Sequence, residues 1–286
     1  MNNQLQTMQG KPKFSVAIQS DMYKKLINNT LGDENRSKRF IAAISSAVAT
    51  NPALQDCDAG TILSGALLGE ALSLSPSPQL GQYYLVPFNT KNQDGTWSKK
   101  AQFQLGYKGY IQLAIRSGQY KKLNVLAIKE GELVQYDPLN EEIDVNLIDD
   151  EIERENAKTI GYYAMFEYTN GFRKAIYWSK AKMEKHALQY SKGYAAKKGY
   201  TFWEKDFDGM AYKTMLRQLI SKWGIMSVEM QDVMAKDMAV IKQDGSYEYV
   251  DNQAEIETPI IQQEEATTIE QEEPQTTVKE VNINEL

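Results

Sequence analysis

The sequence predicts an α+β fold: N-terminal helices, an antiparallel sheet with inserted helices, then C-terminal helices and a disordered acidic tail. Three observations predict it. Up to Leu74 apolar residues recur at helical spacing. Between Gln82 and Trp178 the spacing shortens toward alternation, punctuated by turn dipeptides. From Lys180 helical spacing returns, until the composition turns acidic and poor in aromatics at Asp244. These shifts divide the chain into a flexible N-terminus (1–19), one folded domain (20–243) and the tail (244–286).

The elements follow in order. Ser20 to Leu31 reads as a short helix, and Asp33 to Thr50 as a second with the stripe Phe40, Ile41, Ile44, Val48, ended by Asn51-Pro52. Asp58 is placed to cap a third helix, in which Ser64, Gly65 and Gly69 permit close packing. Gln82–Phe88 and Ala101–Leu105 read as strands about a turn at Asp94-Gly95, the first an edge strand because of Pro87. Tyr107–Ser117 is helical and stops at Gly118. Leu123–Ile128 and Glu132–Tyr136 are strands. Thr159–Tyr168 and Phe172–Trp178 flank Asn170-Gly171, the signature of a type I′ hairpin turn. A helix over Lys180–Tyr190, a basic loop over Ser191–Thr201, a helix over Asp206–Trp223 and a last helix over Met226–Ile241 complete the domain.

Several chemistries are excluded by composition. Cys57 is the single cysteine, so no intrachain disulfide forms; it reads as an inert small residue of an intracellular chain. The lone histidine, His186, sits among lysines and reads as a surface residue; with it, zinc fingers and His-rich metal sites are ruled out. No G-x-x-x-x-G-K-[ST] loop is present, so no ATP site is expected. No signal peptide opens the chain. Its longest apolar stretch, Ala59–Leu74, is shorter than the ~20 residues that span a bilayer. Asp149, Asp150 and Glu151 could hint at a two-metal nuclease, but they lie in an acidic run that reads as a solvated loop.

The charge is partitioned. The chain carries 32 basic and 38 acidic residues, net −6, yet residues 244–286 hold 12 acids against Lys279 alone. A second block, Asp137–Glu155, holds nine acids against Arg154. Residues 156–226 carry 13 basic and five acidic residues and 15 of the 29 aromatics. A cationic groove with aromatic faces is what holds a single nucleic-acid strand, the cations following phosphates and the rings stacking on bases. A solvated lysine-rich face would account for the charge alone. The residues that point to a strand are Lys192, Lys197 and Lys198 with Phe202 and Trp203, the helix-flanking Lys108, Arg116, Lys121 and Lys122, and the i,i+4 pair Lys213 and Arg217. Arg36 and Arg39 are weaker candidates.

Two segments carry a resemblance. Phe103-Gln104-Leu105-Gly106-Tyr107-Lys108-Gly109-Tyr110-Ile111-Gln112-Leu113-Ala114 resembles the hallmark of the RecT recombination proteins, and Met210-Ala211-Tyr212-Lys213-Thr214-Met215-Leu216-Arg217-Gln218-Leu219 resembles that family's second segment. Gly69–Leu74 ahead of Gln82-Tyr83-Tyr84-Leu85-Val86-Pro87-Phe88 matches the order, so the likeness spans roughly residues 20–235. The resemblance implies a β-β-β-α core and a phage or prophage single-strand annealing protein, distantly related to lambda Red beta. Such proteins bind single-stranded DNA, anneal it without ATP, bind the annealed duplex, and assemble into rings or helical filaments in the bacterial cytoplasm. It further implies a phage exonuclease, and a host single-strand binding protein, as partners of the tail. No cofactor is expected, Mg²⁺ serving only as a DNA counterion, and no membrane partner. Passive single-strand binding without annealing is the alternative reading.

Overall fold

The computed structural model describes residues 12–91, 95–199, 201–225 and 228–248, all within one compact unit. Four helices come first: α1 (Phe14–Ala17), α2 (Asp21–Leu31), α3 (Glu34–Thr50) and, after a 3-10 turn at Pro52–Asp56, α4 (Ala59–Ala71). The hairpin β1 (Tyr83–Lys91) and β2 (Trp97–Leu105) leads into α5 (Tyr107–Arg116) and β3 (Tyr120–Lys129). A side excursion follows, made of β4 (Leu133–Asp137), β5 (Glu142–Val145) and α6 (Glu151–Asn156). Then come β6 (Thr159–Tyr168), β7 (Arg173–Ser179), α7 (Lys180–Tyr190), α8 (Lys192–Ala195), α9 (Phe202–Lys205), α10 (Phe207–Trp223), α11 (Val228–Lys236), β8 (Val240–Ile241) and β9 (Tyr247–Glu248). The fold is α+β, as the sequence predicts. No described helix is long and apolar enough to cross a membrane.

The central sheet is antiparallel in the order β3-β6-β7. Its register puts Leu123, Val125 and Ala127 beside Phe166, Ala164 and Tyr162, and these beside Lys174, Ile176 and Trp178. Strand alternation sends all of them to one face. There α10 and α7 close over the sheet with Met215, Leu216, Leu219, Met183 and Ala187. The helix ends match the sequence because their caps are local: Asp33 accepts from Arg36 N, Asp58 from Gly60 N, Ser179 from Lys182 N and Asp206 from Gly209 N.

Five expectations change. The β6–β7 connection is a three-residue loop rather than a type I′ turn. Gly171 donates to Tyr168 O at 3.0 Å, and Gly171 alone takes positive φ (+87°). Asn170 keeps an ordinary φ, its side chain accepting from Phe172 N at 3.0 Å. The last helix stops at Lys236 instead of Ile241. Met238 reverses the chain at φ +67°, and the β2 edge captures it at Phe103, whose N donates to Ala239 O and whose O accepts from Met238 N, both at 2.9 Å. The acidic run 137–155 is folded into β5 and α6 rather than left as a loop. The N-terminal boundary lies before Ser20, since Phe14 and Ile18 are buried in the core. At the other end the described fold continues past Asp244 to Glu248, which pairs with Lys100 (2.6 Å) and Lys242 (3.0 Å). Asp94, Tyr200, Met226 and the rest of the tail lie outside the described residues.

The glycine spacing at Gly106 and Gly109 has a packing cause. A Cβ on Gly106 would collide with the backbone carbonyl of Gly81, and one on Gly109 with that of Gln82. The first turn of α5 thus lies flush against the start of β1. Gly to Ala inside a helix ordinarily stabilises by ~1 kcal/mol. Here the obstacle is backbone, so Gly109→Ala should instead destabilise by ~1–3 kcal/mol, read as a lower urea midpoint.

Candidate nucleic-acid interface

The two motif segments meet at Asp237, just past α11 and fully buried. Its Oδ1 accepts from Leu105 N at 2.7 Å and from Lys213 Nζ at 3.0 Å. Its Oδ2 accepts from Tyr110 Oη at 3.1 Å and lies 3.7 Å from the Arg217 guanidinium. Lys213 and Arg217 do share one flank of α10, as their spacing predicts, but that flank faces inward. Lys213 is only 5% exposed, so its ammonium serves the interior rather than a phosphate. Arg217 is partly exposed.

Arg116 is exposed, but its guanidinium is engaged with backbone. Its guanidinium donates to Leu72 O (2.5 Å) and Ser73 O (2.8 Å), closing the C-terminal end of α4. Lys121 and Lys122 share Glu167, at 2.6 and 3.8 Å. The hydrogen bond from Lys121 holds the Glu167 carboxyl below its usual range. Both lysines remain exposed, and such surface pairs are weak.

Four other predicted cations form a strip with two rings. Lys108 is exposed at the start of α5, its stem beside Gly81 and Tyr84. The Tyr84 ring lies 5.4 Å from that of Phe202, which is 37% exposed. The adjoining Thr201 caps α9 and packs its methyl group on Gly193, which ties α8 to the same place. Lys192, Lys197 and Lys198 are exposed on α8 and the turn after it.

Trp203, expected on that surface, is buried. Its ring meets Phe207 edge-on at 5.1 Å and lies 6.2 Å from Tyr194 and 6.4 Å from His186. The short helices α8 and α9 form a cover, and a cover needs aromatic underside. His186 is likewise no surface residue: packed against Trp178 and Tyr190, it has its pKa pushed down to about 4, by burial first and by the charge of Arg217 second. Cys57 is buried, and burial raises its thiol to about 12, out of reach of nucleophilic chemistry.

Sequence reasoning missed a second cation–aromatic patch at the far end of α10. Trp223 is 37% exposed, with Lys174 Nζ 4.2 Å and Lys222 Nζ 5.0 Å from its ring centre. Phe172 stands exposed nearby, stacked on Tyr168 at 5.8 Å. The adjacent Lys222-Trp223 pair in the last helical turn was the available signal. Lys222 lies off the Lys213 flank of α10, and the Lys213 flank is the one that turns inward.

The RecT family profile matches residues 38–255, which include the strip, both motif segments and Asp237. The chain belongs to the RecT family. It is 43% identical over 216 residues to "Uncharacterized protein YqaK" of Bacillus subtilis (strain 168), spanning 76% of this chain and 67% of that protein. It is 30% identical over 230 residues to "Protein RecT" of Escherichia coli (strain K12), spanning 77% and 81%. Membership in the RecT family places the chain among proteins of phage-type recombination that anneal single-stranded DNA.

The division between inward and outward cations is measurable. Lys213→Ala leaves Asp237 buried without its closest cation, so the unfolding free energy should fall by ~3–5 kcal/mol in a urea titration. Lys197→Ala, on the surface, should stay within ~0.5 kcal/mol of the parent.

His186 supplies a pH dependence. It is neutral in the fold, while the unfolded chain takes up a proton near 6.5. The unfolded state thus binds the extra proton between about 6.5 and about 4, and stability falls as pH drops through that window. The slope from this one group is at most ~1.4 kcal/mol per pH unit. His186→Phe should flatten the unfolding free energy across this window relative to the parent.

Proposed function

We propose that the chain binds a single DNA strand along the strip formed by Lys108, Tyr84, Phe202, Lys192, Lys197 and Lys198, and promotes its pairing with a complementary strand without nucleotide hydrolysis. The observation that carries this is the joining of α5, α8 and α9 into one exposed surface of cations and aromatic rings. Ammonium groups neutralise phosphates and a ring takes a base face, which tolerates any sequence because the contacts made are to the backbone. Base edges are then left to read each other. Annealing makes and breaks no covalent bond, so no catalytic group and no cofactor is required, and Mg²⁺ acts only as a DNA counterion. Lys121, Lys122, Lys174, Lys222 and Trp223 extend the same chemistry to the other end of α10. With 17 residues at 1.5 Å rise, α10 separates the two patches by roughly 25 Å. Self-association would join such short tracks into one long enough for annealing. The acidic segment after Glu248 stays off the DNA and receives protein partners, an exonuclease and a host single-strand binding protein.

Mixing complementary labelled strands with the protein, free of metal and nucleotide, tests the reading. Faster pairing than for DNA alone is the expected result. Protection without faster pairing would reduce the chain to a passive binder, and metal-dependent shortening of the strands would make it a nuclease. Replacing Lys197 or Lys198 by Ala should lower the slope of log affinity against log salt by about 0.7 each. Ending the chain after Glu248 should preserve or strengthen binding, since the removed residues carry a net negative charge. A marked loss would show that the tail helps to hold DNA.

A further inference from the structure

The basic turn between α8 and α9 is kept in an unfavoured shape by an acid from the helix that follows it. Lys197 lies in the left-handed region at φ +50°, where a β-carbon is crowded and glycine is the usual occupant. Gly199 follows at φ +74°. The near side of the turn wraps back on α8: Ala196 N, Lys197 N and Lys198 N donate to Lys192 O (3.0 Å), Tyr194 O (2.9 Å) and Gly193 O (3.1 Å). Glu204 holds the far side. Its Oε1 accepts from Gly199 N at 2.8 Å, and its Oε2 accepts from Thr201 N at 3.0 Å and from Thr201 Oγ1 at 2.7 Å.

A capping box accounts for part of this, since Thr201 Oγ1 accepts from Glu204 N at 3.3 Å while the carboxylate returns to Thr201 N. It does not account for the bond to Gly199, which lies two residues before the cap and outside α9. That bond reaches past the helix to the end of the turn that carries Lys197 and Lys198. Phe202, the first residue of α9, lies inside the same closed loop. Two features here run against local stability or charge. A lysine stands where glycine would be uncrowded, and a carboxylate is held in a segment whose work is to attract phosphates. Both make sense if Lys197 and Lys198 must leave the backbone in fixed directions.

We propose that Glu204 is a positioning residue for the DNA strip. Its carboxylate pins the turn from Lys197 to Thr201, so that Lys197, Lys198 and Phe202 are in place before a strand arrives. Ordering a loop and its long side chains at the moment of binding weakens binding. Glu204 removes that requirement while adding some repulsion toward phosphates. This deepens the reading of a strand-binding strip and rests on it.

Glu204→Ala in the full-length chain sets the two effects against each other. By charge alone, loss of an acid from the strip should strengthen DNA binding; by position, it should weaken it. Affinity for oligo(dT) of about 10 nucleotides should fall about threefold to tenfold. The deficit should widen as salt is raised, because salt screens the repulsion that was removed and leaves the lost ordering untouched. Thr201→Val separates positioning from capping. It removes the hydroxyl that caps α9 but keeps the methyl group on Gly193 and the two backbone amides on Glu204. It should lower the urea midpoint and leave the affinity at the parent's value. A Glu204→Ala protein that binds as tightly as the parent or more tightly would overturn the proposal. So would a Thr201→Val protein that loses affinity in step with it, since Glu204 would then be a helix cap alone. Hydrogen exchange without DNA reads the clamp by itself: the amides of Gly199 and Thr201 should exchange faster in Glu204→Ala, and unchanged exchange would also overturn it. A parent that showed this difference but bound no oligo(dT) would leave the clamp standing and remove the DNA reading.

Discussion

Everything about the surface depends on one buried carboxylate. Asp237 receives a backbone amide from the end of β2, a phenol from α5 and the Lys213 ammonium from α10, with the Arg217 guanidinium close by. Taking such charges out of water is costly, and removing any partner strands the rest. The cluster therefore tolerates only one arrangement of three segments: the β2–α5 junction, α10 and the stretch after α11. It fixes where α5 starts, and so where Lys108 projects. It fixes α10, whose first turn follows the α9 cover that presents Phe202. Two further bonds tighten the same junction: the amide of Gln102 donates to Met238 O, and the backbone of Phe103 pairs with Ala239. The interior ion cluster does not touch DNA under this reading, yet it sets the geometry of what does.

This recasts what the two motif segments are for. Gly106 and Gly109 serve packing: their missing side chains make room for the carbonyls of Gly81 and Gln82. Lys213 and Arg217 look like a phosphate pair and instead balance Asp237. Arg116 looks like a groove cation and closes the end of α4. Apart from the exposed Lys108, the motif residues named here are chiefly architectural, while the lysines of α8 and its turn, in a segment without a recognisable pattern, face solvent.

The difference between what was legible and what was not follows the range of the interaction. Helices α2, α3, α7 and α10, and the start of α4, were readable to within a residue, because caps, breakers and apolar stripes act within one or two turns. So were β6 and β7, since alternation is local, whereas β3 begins at Tyr120, three residues before the expected Leu123. The direction of Lys213 was not, for its partner lies 24 residues on. Nor was the folding of the acidic run: it hinges on Glu132 meeting Arg154 across 22 residues, while the run itself has the composition of a solvated loop. The end of α11 was misread because a strand edge more than a hundred residues earlier takes over the chain at Ala239. Trp203 was misplaced for a related reason. A ring among lysines in sequence can sit beneath them in space once short helices fold the segment over.

Charge obeys the same logic, and net charge is a poor guide to it. An overall value of −6 describes a chain whose cations and anions are sorted by place. At physiological salt an exposed charge acts over about 8 Å. The strip at Lys108, Lys192, Lys197 and Lys198 and the acid-rich excursion sit on separate elements. A phosphate backbone and a protein neighbour can then each find a surface of the sign it needs on one chain. Buried pairs escape this screening and act at short range as fixed joints. Glu132 with Arg154, and Asp237 with Lys213, are two such joints, and Lys174 with Glu141 ties the excursion to β7.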